Sequence, residues 1–368
     1  MKLLDSLHRW TGGLIGLLLA LLGLTGTILI HRDAWVMLPH AGDVQVQDTA
    51  VLAVTTQRLM QGLMQGPMQG DGPQPRAITY AGADFGLDRL AFADGAGAYV
   101  TQTGDPVARW DSQWQRPELW LSDLHQHLFA GDAGETVIGI AGLCGLFFVV
   151  SGSVLWWRTR RTFEWRLWPA RMTRPAILRH HRDLGIVVAP LLALSLVTGA
   201  VLVFRPLSAV LLGPGAPQEI DRKLAAPKAQ ARALSPDLDW AEMIIAARAR
   251  FPDAEVRSLS LPRGQSGLIT LRMRGPGEWL PNGRTTVWFA ADSGRIVATR
   301  DAADLPARVR GYNLLYPLHA AKVGGLAFRL VMSLSGLALS LLGTLAVWTF
   351  WFRRPVRRPV RPPVRRGS

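Results

Sequence analysis

Four runs of this chain carry no acidic or basic side chain: residues 11–30, 137–157, 184–204 and 330–352. Each reaches the roughly 20 residues that a helix needs to cross a ~30 Å hydrocarbon core. A helix buried in a soluble core normally keeps one polar stripe, and these runs keep none. They predict four membrane-spanning helices. The first run follows Lys2 and Arg9, as in a signal peptide. Its exit reads TGTILIHRDAW, with no small-residue cleavage site, so an uncleaved anchor is expected.

The net charge of +14 would suit nucleic acid, but its placement argues for topology. Arg158, Arg160, Arg161, Arg166, Arg171, Arg174, Arg179 and Arg182 crowd the link between the second and third runs. Arg353, Arg354, Arg357, Arg358, Arg361, Arg365 and Arg366 fill the tail. Short Lys/Arg-rich loops stay in the cytoplasm. Both termini and the central link are therefore expected inside, with 32–136 and 205–329 outside. The surplus cations attract anionic lipid headgroups, and nucleic acid is not expected as a partner. Cys144 is the single cysteine, which rules out an internal disulfide, covalent c-type haem and thiolate metal clusters.

The chain repeats itself. His8-x-x-x-Gly12 and His181-x-x-x-Gly185 stand at the mouths of the first and third runs. Thirteen residues past each glycine comes a Thr-Gly pair, Thr25-Gly26 and Thr198-Gly199. Leu124-His125 and Leu318-His319 precede the second and fourth runs, and a Gly-Leu pair follows each histidine by 17 residues. Those two runs end in WWRTRR and WTFWFRR, an interfacial tryptophan belt followed by inside arginines. Between the runs, 98–110 and 287–300 each read as strand, glycine turn, strand. Residues 240–251 have helical composition ahead of strand-like 255–261 and 267–274, and 50–63 is a candidate helix. The stretch 60–75, MQGLMQGPMQGDGPQP, reads as a flexible low-complexity link, and 353–368 as a disordered Pro/Arg tail.

These motifs together resemble the PepSY-associated transmembrane proteins, over nearly the whole chain. The resemblance implies an all-α four-helix membrane bundle carrying two small α+β periplasmic domains, as a tandem repeat. The boundaries are helix one at 1–31, first domain 32–123, helix two 124–161, basic link 162–179, helix three 180–205, second domain 206–317, helix four 318–353 and tail 354–368. It also implies a bacterial inner-membrane location, since some family members are ferric-siderophore reductases with b-type haem.

The histidines fit that expectation by depth. His8 and His181 stand on the inside, and His125 and His319 on the outside, each pair drawn from two helices. Two facing imidazoles are what a b-type haem needs, so two non-covalent haems are expected. His180 points about 100° away from His181, and the repeat selects His181. His127 stays an alternative to His125. His31 reads as an interface anchor within reach of the outer site, and His40 as a loop residue. Gly12, Gly13, Gly16, Gly23 and Gly26 would let a flat ring or another helix approach closely.

No nucleophile–base arrangement and no phosphate-binding glycine loop is present. The expected function is electron passage from a cytoplasmic reductase or quinol donor to a periplasmic acceptor, by family resemblance a ferric siderophore. A non-enzymatic alternative has the outer domains binding a peptidase or scaffolding an envelope complex, with the helices as anchors. A permease is disfavoured, because the four runs lack the intramembrane charges that coupled transport uses.

Overall fold

A computed structural model describes residues 2–40, 48–65, 75–230, 232–262 and 267–352. The chain begins with α1 (Lys2–Ile30), α2 (Arg32–Met37) and α3 (Thr49–Gln65). Strands β1 (Pro75–Thr79), β2 (Asp88–Phe92), β3 (Gly97–Val100) and β4 (Pro106–Trp110) follow. Next come α4 (Pro117–His127), α5 (Gly131–Thr159), α6 (Arg174–Val203), α7 (Ser208–Leu212), α8 (Ala216–Leu224) and α9 (Trp240–Arg250). The last elements are β5 (Glu255–Ser260), β6 (Leu268–Arg274), β7 (Thr285–Ala290), β8 (Ile296–Arg300), α10 (Ala307–Asn313), α11 (Leu315–His319) and α12 (Gly325–Trp351).

Helices α1, α5, α6 and α12 are long and apolar enough to cross a membrane. Leu14, Leu17, Ile140, Val150, Leu330 and Leu334 lie exposed along them, an apolar surface that water would not tolerate. The helices form a ring: α1 packs on α12 and α5, and α6 packs on α5 and α12. Helices α1 and α6 thus face each other across one diagonal, and α5 and α12 across the other.

The ring closes between the first and last helices through backbone contact. A Cβ on Gly16 would meet the Gly343 carbonyl, and one on Gly23 would meet that of Gly336. Lipid tails supply no hydrophobic drive between helices, so small residues that admit close backbone approach supply the cohesion. For these two glycines, helix packing is the use the structure makes of them. Trp351 locks the seam's far end by donating from Nε1 to the Gly13 carbonyl at 2.9 Å.

The segments between the helices differ from the expected pair of domains. All eight strands form one antiparallel sheet, ordered β4-β3-β2-β1-β5-β6-β7-β8. Strand β1 pairs with β5 through Ala77–Ser260, Ile78–Leu259 and Thr79–Ser258. Neither half buries its apolar surface alone, and pairing removes an exposed edge from each. The order reads the same outward from this junction in both halves. Helices α3 and α9 pack together over one face, with Met60, Trp240 and Ile244 buried against Ile78, Leu259, Leu271 and Val287. Asp239 caps α9 by accepting from the Glu242 backbone N–H. Helix α3 runs on to Gln65, so 60–65 is helical rather than link; 66–74 and the tail from 353 lie outside the described residues.

The opposite sheet face is polar. One cross-strand row runs Tyr99–Arg89–Thr79–Ser258–Arg272–Thr286–Arg300. Directly paired residues share a face, so these side chains all lie away from α3 and α9. That face is covered by the short elements leading into the long helices. Tyr99 packs with Met37 of α2 and Leu119 of α4, and Arg284 donates to Asn313 of α10. Lys322 pairs with Asp33 and Arg329 with Asp84, tying the sheet to the bundle.

Two predictions follow from this packing. Gly343→Val should cost about 1–3 kcal/mol by forcing the seam apart. Gly62→Ala, exposed on α3 with open space around it, should cost nothing. Denaturant unfolding in detergent, followed by tryptophan fluorescence, measures both. The second concerns Asp88, which accepts from the Ala81 N–H at 2.7 Å while its other oxygen is buried without a partner. Burial pushes its carboxyl up to about 6. The folded protein therefore holds this proton more tightly than the unfolded chain. Its contribution to stability is full below about pH 4 and is lost as pH rises through 6, by roughly 3 kcal/mol. Asp88→Asn should flatten that slope in the same unfolding assay.

Candidate functional site

His8 lies near the start of α1 and His181 near the start of α6, at the end of the bundle away from the sheet. Their ring centroids stand 6.3 Å apart at 89°. His125 lies in the last turn of α4 and His319 ends α11, at the sheet side, with centroids 6.4 Å apart at 45°. The His8–His181 pair thus spans the α1–α6 diagonal of the ring, and His125 and His319 meet between the same two helices, bound to Thr25 of α1 and Ser195 of α6. Two imidazoles that bind one metal ion at about 2 Å each place their centroids ~6 Å apart.

The sheet-side histidines are not on the long helices, as the sequence suggested, but on short ones joined to them by sharp turns. Helix α4 starts at Pro117, which favours a first-turn position, and is stopped by left-handed Leu128 and Phe129. Helix α5 begins only at Gly131. After His319 the chain turns through Ala321, Gly324 and Gly325, also left-handed, before α12. The turns let these rings point back into the bundle.

Hydrogen bonds fix the rings. Thr25 Oγ1 donates to the Leu21 carbonyl at 2.8 Å, which uses its one proton. It therefore accepts from His125 Nδ1–H, also at 2.8 Å. His319 Nδ1 lies 3.0 Å from the Ser195 carbonyl, which can only accept, and 3.1 Å from Thr198 Oγ1. Ser151 Oγ donates to the Phe147 carbonyl at 2.6 Å and accepts from His8 Nδ1–H at 2.7 Å. In His8, His125 and His319 the proton is thus on Nδ1, leaving Nε2 with a free lone pair. Metal-bound histidines use this arrangement, with the second nitrogen donating to a fixed partner.

The Thr-Gly pairs now have a physical role. The threonine accepts from the histidine of its own half, and the glycine makes room for it. A Cβ on Gly26 would stand 3.1 Å from His125 Cε1, and one on Gly199 2.9 Å from His319 Cε1. At the far end the motif glycines sit one turn from their histidines on the same helix face. Among the described residues, Gly185 has nothing within 4 Å of where a Cβ would stand, and Gly12 has only Phe148 at 4.0 Å. Open space therefore borders both far-side rings. None of the four rings is fully buried, although each lies among helices.

The other histidines are turned elsewhere. His180 is wholly buried and holds the Arg166 carbonyl at 3.0 Å, away from His8. Its neighbour Asp183, also wholly buried, pairs with Arg166 and Arg182 and straps the basic link onto α6. His127 pairs with Asp123 at 3.1 Å on its own helix. His31 bonds Ser333 of α12 at 2.8 Å, and His40 lies in a single turn of 3-10 helix after α2. Sequence reasoning missed Ser151 and Asp183. Ser151-Gly152 has a signal in hindsight: a small polar pair inside an apolar run.

A testable consequence concerns the tautomers. Thr25→Val leaves His125 Nδ1–H without its acceptor, at about 1 kcal/mol. Nitrogen-15 NMR of histidine-labelled protein should show one tautomer for His125 in the wild type and a mixture in the variant.

Comparison with known proteins gives two findings. A family model described as PepSY-associated TM region matches residues 6–354. An uncharacterised protein of Pseudomonas aeruginosa is 28% identical over 232 residues, covering 60% of this chain and 58% of that protein. The match thus spans little more than half of the relative's length.

Proposed function

The chain belongs to the PepSY-associated TM region family and is a multi-pass membrane protein, and on that footing we propose that it is a b-type haem protein. In this reading it sits in the bacterial inner membrane and passes electrons from a cytoplasmic reductase or a quinol to a periplasmic acceptor, a ferric siderophore. The observation that carries the proposal is the pairing of imidazoles at both ends of one bundle, at separations that suit a shared metal. Among the described residues no three His, Cys, Asp or Glu side chains converge on a bare metal ion. A two-imidazole site instead suits a metal whose other positions are filled by a macrocycle.

His8 and His181 would hold one haem, and His125 and His319 the other. Bound there, haem b supplies reversible one-electron transfer. The residues of the chain do the rest. Thr25, Ser195 and Ser151 orient the rings of His125, His319 and His8 through hydrogen bonds. The apolar helices exclude water, which lets burial and axial ligation set the potential. Gly12 and Gly185 leave space beside the far-side rings for a flat group. Arginines of the link, at the end away from the sheet, support a cytoplasmic side for that end and for both termini. The sheet and the His125–His319 pair then face the periplasm, on the acceptor's side.

Purified protein should be red, with a bis-imidazole spectrum; colourless protein that folds and stays colourless when given haem would favour the anchor role. His8→Ala and His181→Ala should each leave about half the haem, and His125→Ala and His319→Ala the other half. Gly185→Leu should act like the far-side pair. Reduced wild type, freed of excess reductant, should reduce a ferric chelate too large to enter the bundle. His319→Ala should fail to do so while remaining reducible itself. Stopped-flow absorbance decides it: reduced protein that persists beside excess ferric siderophore would sink the reductase role. Reporter fusions should read cytoplasm after Arg161 and periplasm near Ala226.

A further inference from the structure

The loop between α5 and α6 exposes an apolar surface of its own. Trp165 is 74% and Trp168 72% accessible, and Leu167 and Met172 beside them are more than half accessible. Large apolar side chains gathered in one short loop mark a surface that something covers. The loop is not slack. Arg166 pairs with the wholly buried Asp183 of α6, and the Arg166 carbonyl accepts from His180 Nδ1–H at 3.0 Å. Arg182 donates to the hydroxyl and the carbonyl of Thr162, both at 2.7 Å. These bonds strap 162–166 onto one turn of α6.

The strap sets the depth of the loop. Its anchor points, His180 to Asp183, directly precede the charge-free run that begins at Leu184. At 1.5 Å per residue they lie about 9–13 Å along α6 from its start at Arg174. The loop therefore doubles back along the first turns of α6 toward the apolar run, instead of standing off into solvent.

A row of ring contacts agrees. Trp157 and Trp156, near the end of α5, have centroids 6.4 Å apart, Trp156 and Phe163 6.2 Å, and Phe163 and Trp165 5.6 Å. The row carries the interfacial tryptophans of a spanning helix onto the loop. Trp10 and Trp351 are exposed at the same end of the bundle. Tryptophan settles at headgroup level, where one edge of the ring can be wet and the rest apolar.

Cations flank the row. The only acids between Arg158 and Asp183 are Glu164 and Asp183 itself. Both turn to Arg166, and Asp183 also to Arg182. Arg158, Arg161, Arg171 and Arg174 stand exposed before and after the apolar side chains in the chain. Guanidinium groups bind phosphate oxygens in pairs, and each cation beside an anionic leaflet strengthens binding about fivefold.

We propose that this loop is a folded site for anionic phospholipid. Trp165 and Trp168 enter the boundary between headgroups and acyl chains, and the flanking arginines take the phosphates. A flexible basic tail is drawn to a charged leaflet without any structure, whereas this site depends on the strap. A protein partner is the rival cover, and the depth of the loop and its continuity with α5 favour lipid. The strap ends on both sides of His181, so lipid that holds the loop also holds the turn carrying that ring. The site itself does not rest on the haem reading.

Depth and affinity are measured separately on the full chain. For depth, Trp165→Cys in a Cys144→Ala background carries a fluorophore, in nanodiscs of phosphatidylcholine with phosphatidylglycerol. A nitroxide on the lipid headgroup should quench it strongly. It should leave a label at Val54→Cys bright, because α3 covers the sheet face turned away from the bundle. For affinity, native mass spectrometry reads retained phosphatidylglycerol against phosphatidylcholine. Arg161→Gln and Arg174→Gln, exposed and outside the strap, should each lower that preference about fivefold. All variants keep the same arginine-rich tail, so its share cancels. Asp183→Asn is the decisive variant. Charge alone makes it bind anionic lipid more tightly, whereas loss of the strap makes it bind more weakly. An unquenched label at 165, glutamine variants with the wild-type lipid preference, or tighter binding by a folded Asp183→Asn each overturns the proposal.

Discussion

The backbone contact between α1 and α12 is the constraint from which the rest follows. Helices in lipid gain little from burying apolar side chains, so a ring of four needs contacts that lipid cannot imitate. Gly16 against Gly343, and Gly23 against Gly336, bring the first and last helices together at backbone distance. With that seam closed, α5 and α6 can pack only on the remaining sides, and the diagonals are fixed. The diagonals in turn decide which histidines face each other. His8 meets His181 because α1 and α6 lie opposite, and His125 meets His319 because α4 packs on α1 and α11 on α6.

Within that frame, the hydroxyls beside the histidines are each used twice. Thr25 and Ser151 each donate to a carbonyl four residues back and accept from a histidine on another helix. A hydroxyl can do both, which is why these residues serve inside an apolar helix at little cost. The result is a set of imidazoles with one nitrogen committed and the other open. Such preorganisation matters more for ligation than proximity does, since a ring free to flip presents the wrong nitrogen half the time.

The membrane helices and the four paired histidines were legible because each leaves a linear trace. Charge-free length announces a span, and a histidine repeated at matched offsets announces a matched role. The Thr-Gly pairs were visible as a spacing but mute as chemistry, because their partner lies 100 positions away in one half and 121 in the other. The breaks that separate α4 from α5 and α11 from α12 were hidden, since left-handed Leu128, Phe129 and Ala321 are not residues that usually take that conformation. The two outer segments read as two domains because each has its own strand–turn–strand units. Their fusion depends on the pairing of Ile78 with Leu259, a register that no local pattern encodes. The polar sheet face was hidden for the same reason. Arg89, Arg272 and Arg300 sit 28 to 211 residues apart in the chain, and only strand register puts them in one row.

The division of labour between the two halves explains why the unit is present twice. Each half orients its own histidines: Thr25 and His125, and Ser151 and His8, belong to the first half, while Thr198 and His319 belong to the second. Neither half can pair them. It carries one imidazole for each end of the bundle, so any two-imidazole site needs a second copy rotated to face the first. The sheet obeys the same logic, with β1 and β5 as edges that are satisfied only by each other. Two separate chains could meet these demands through a two-fold interface, in which the same patch on each partner meets its equivalent. Joining the halves in one chain makes that meeting independent of concentration and frees the two copies to diverge. The divergence is visible in the hydrogen bonds: His125 bonds a threonine side chain, and His319 bonds a backbone carbonyl as well as its threonine. What both halves keep is the placement of one imidazole at each end of the bundle. The sites at the two ends depend on that alone.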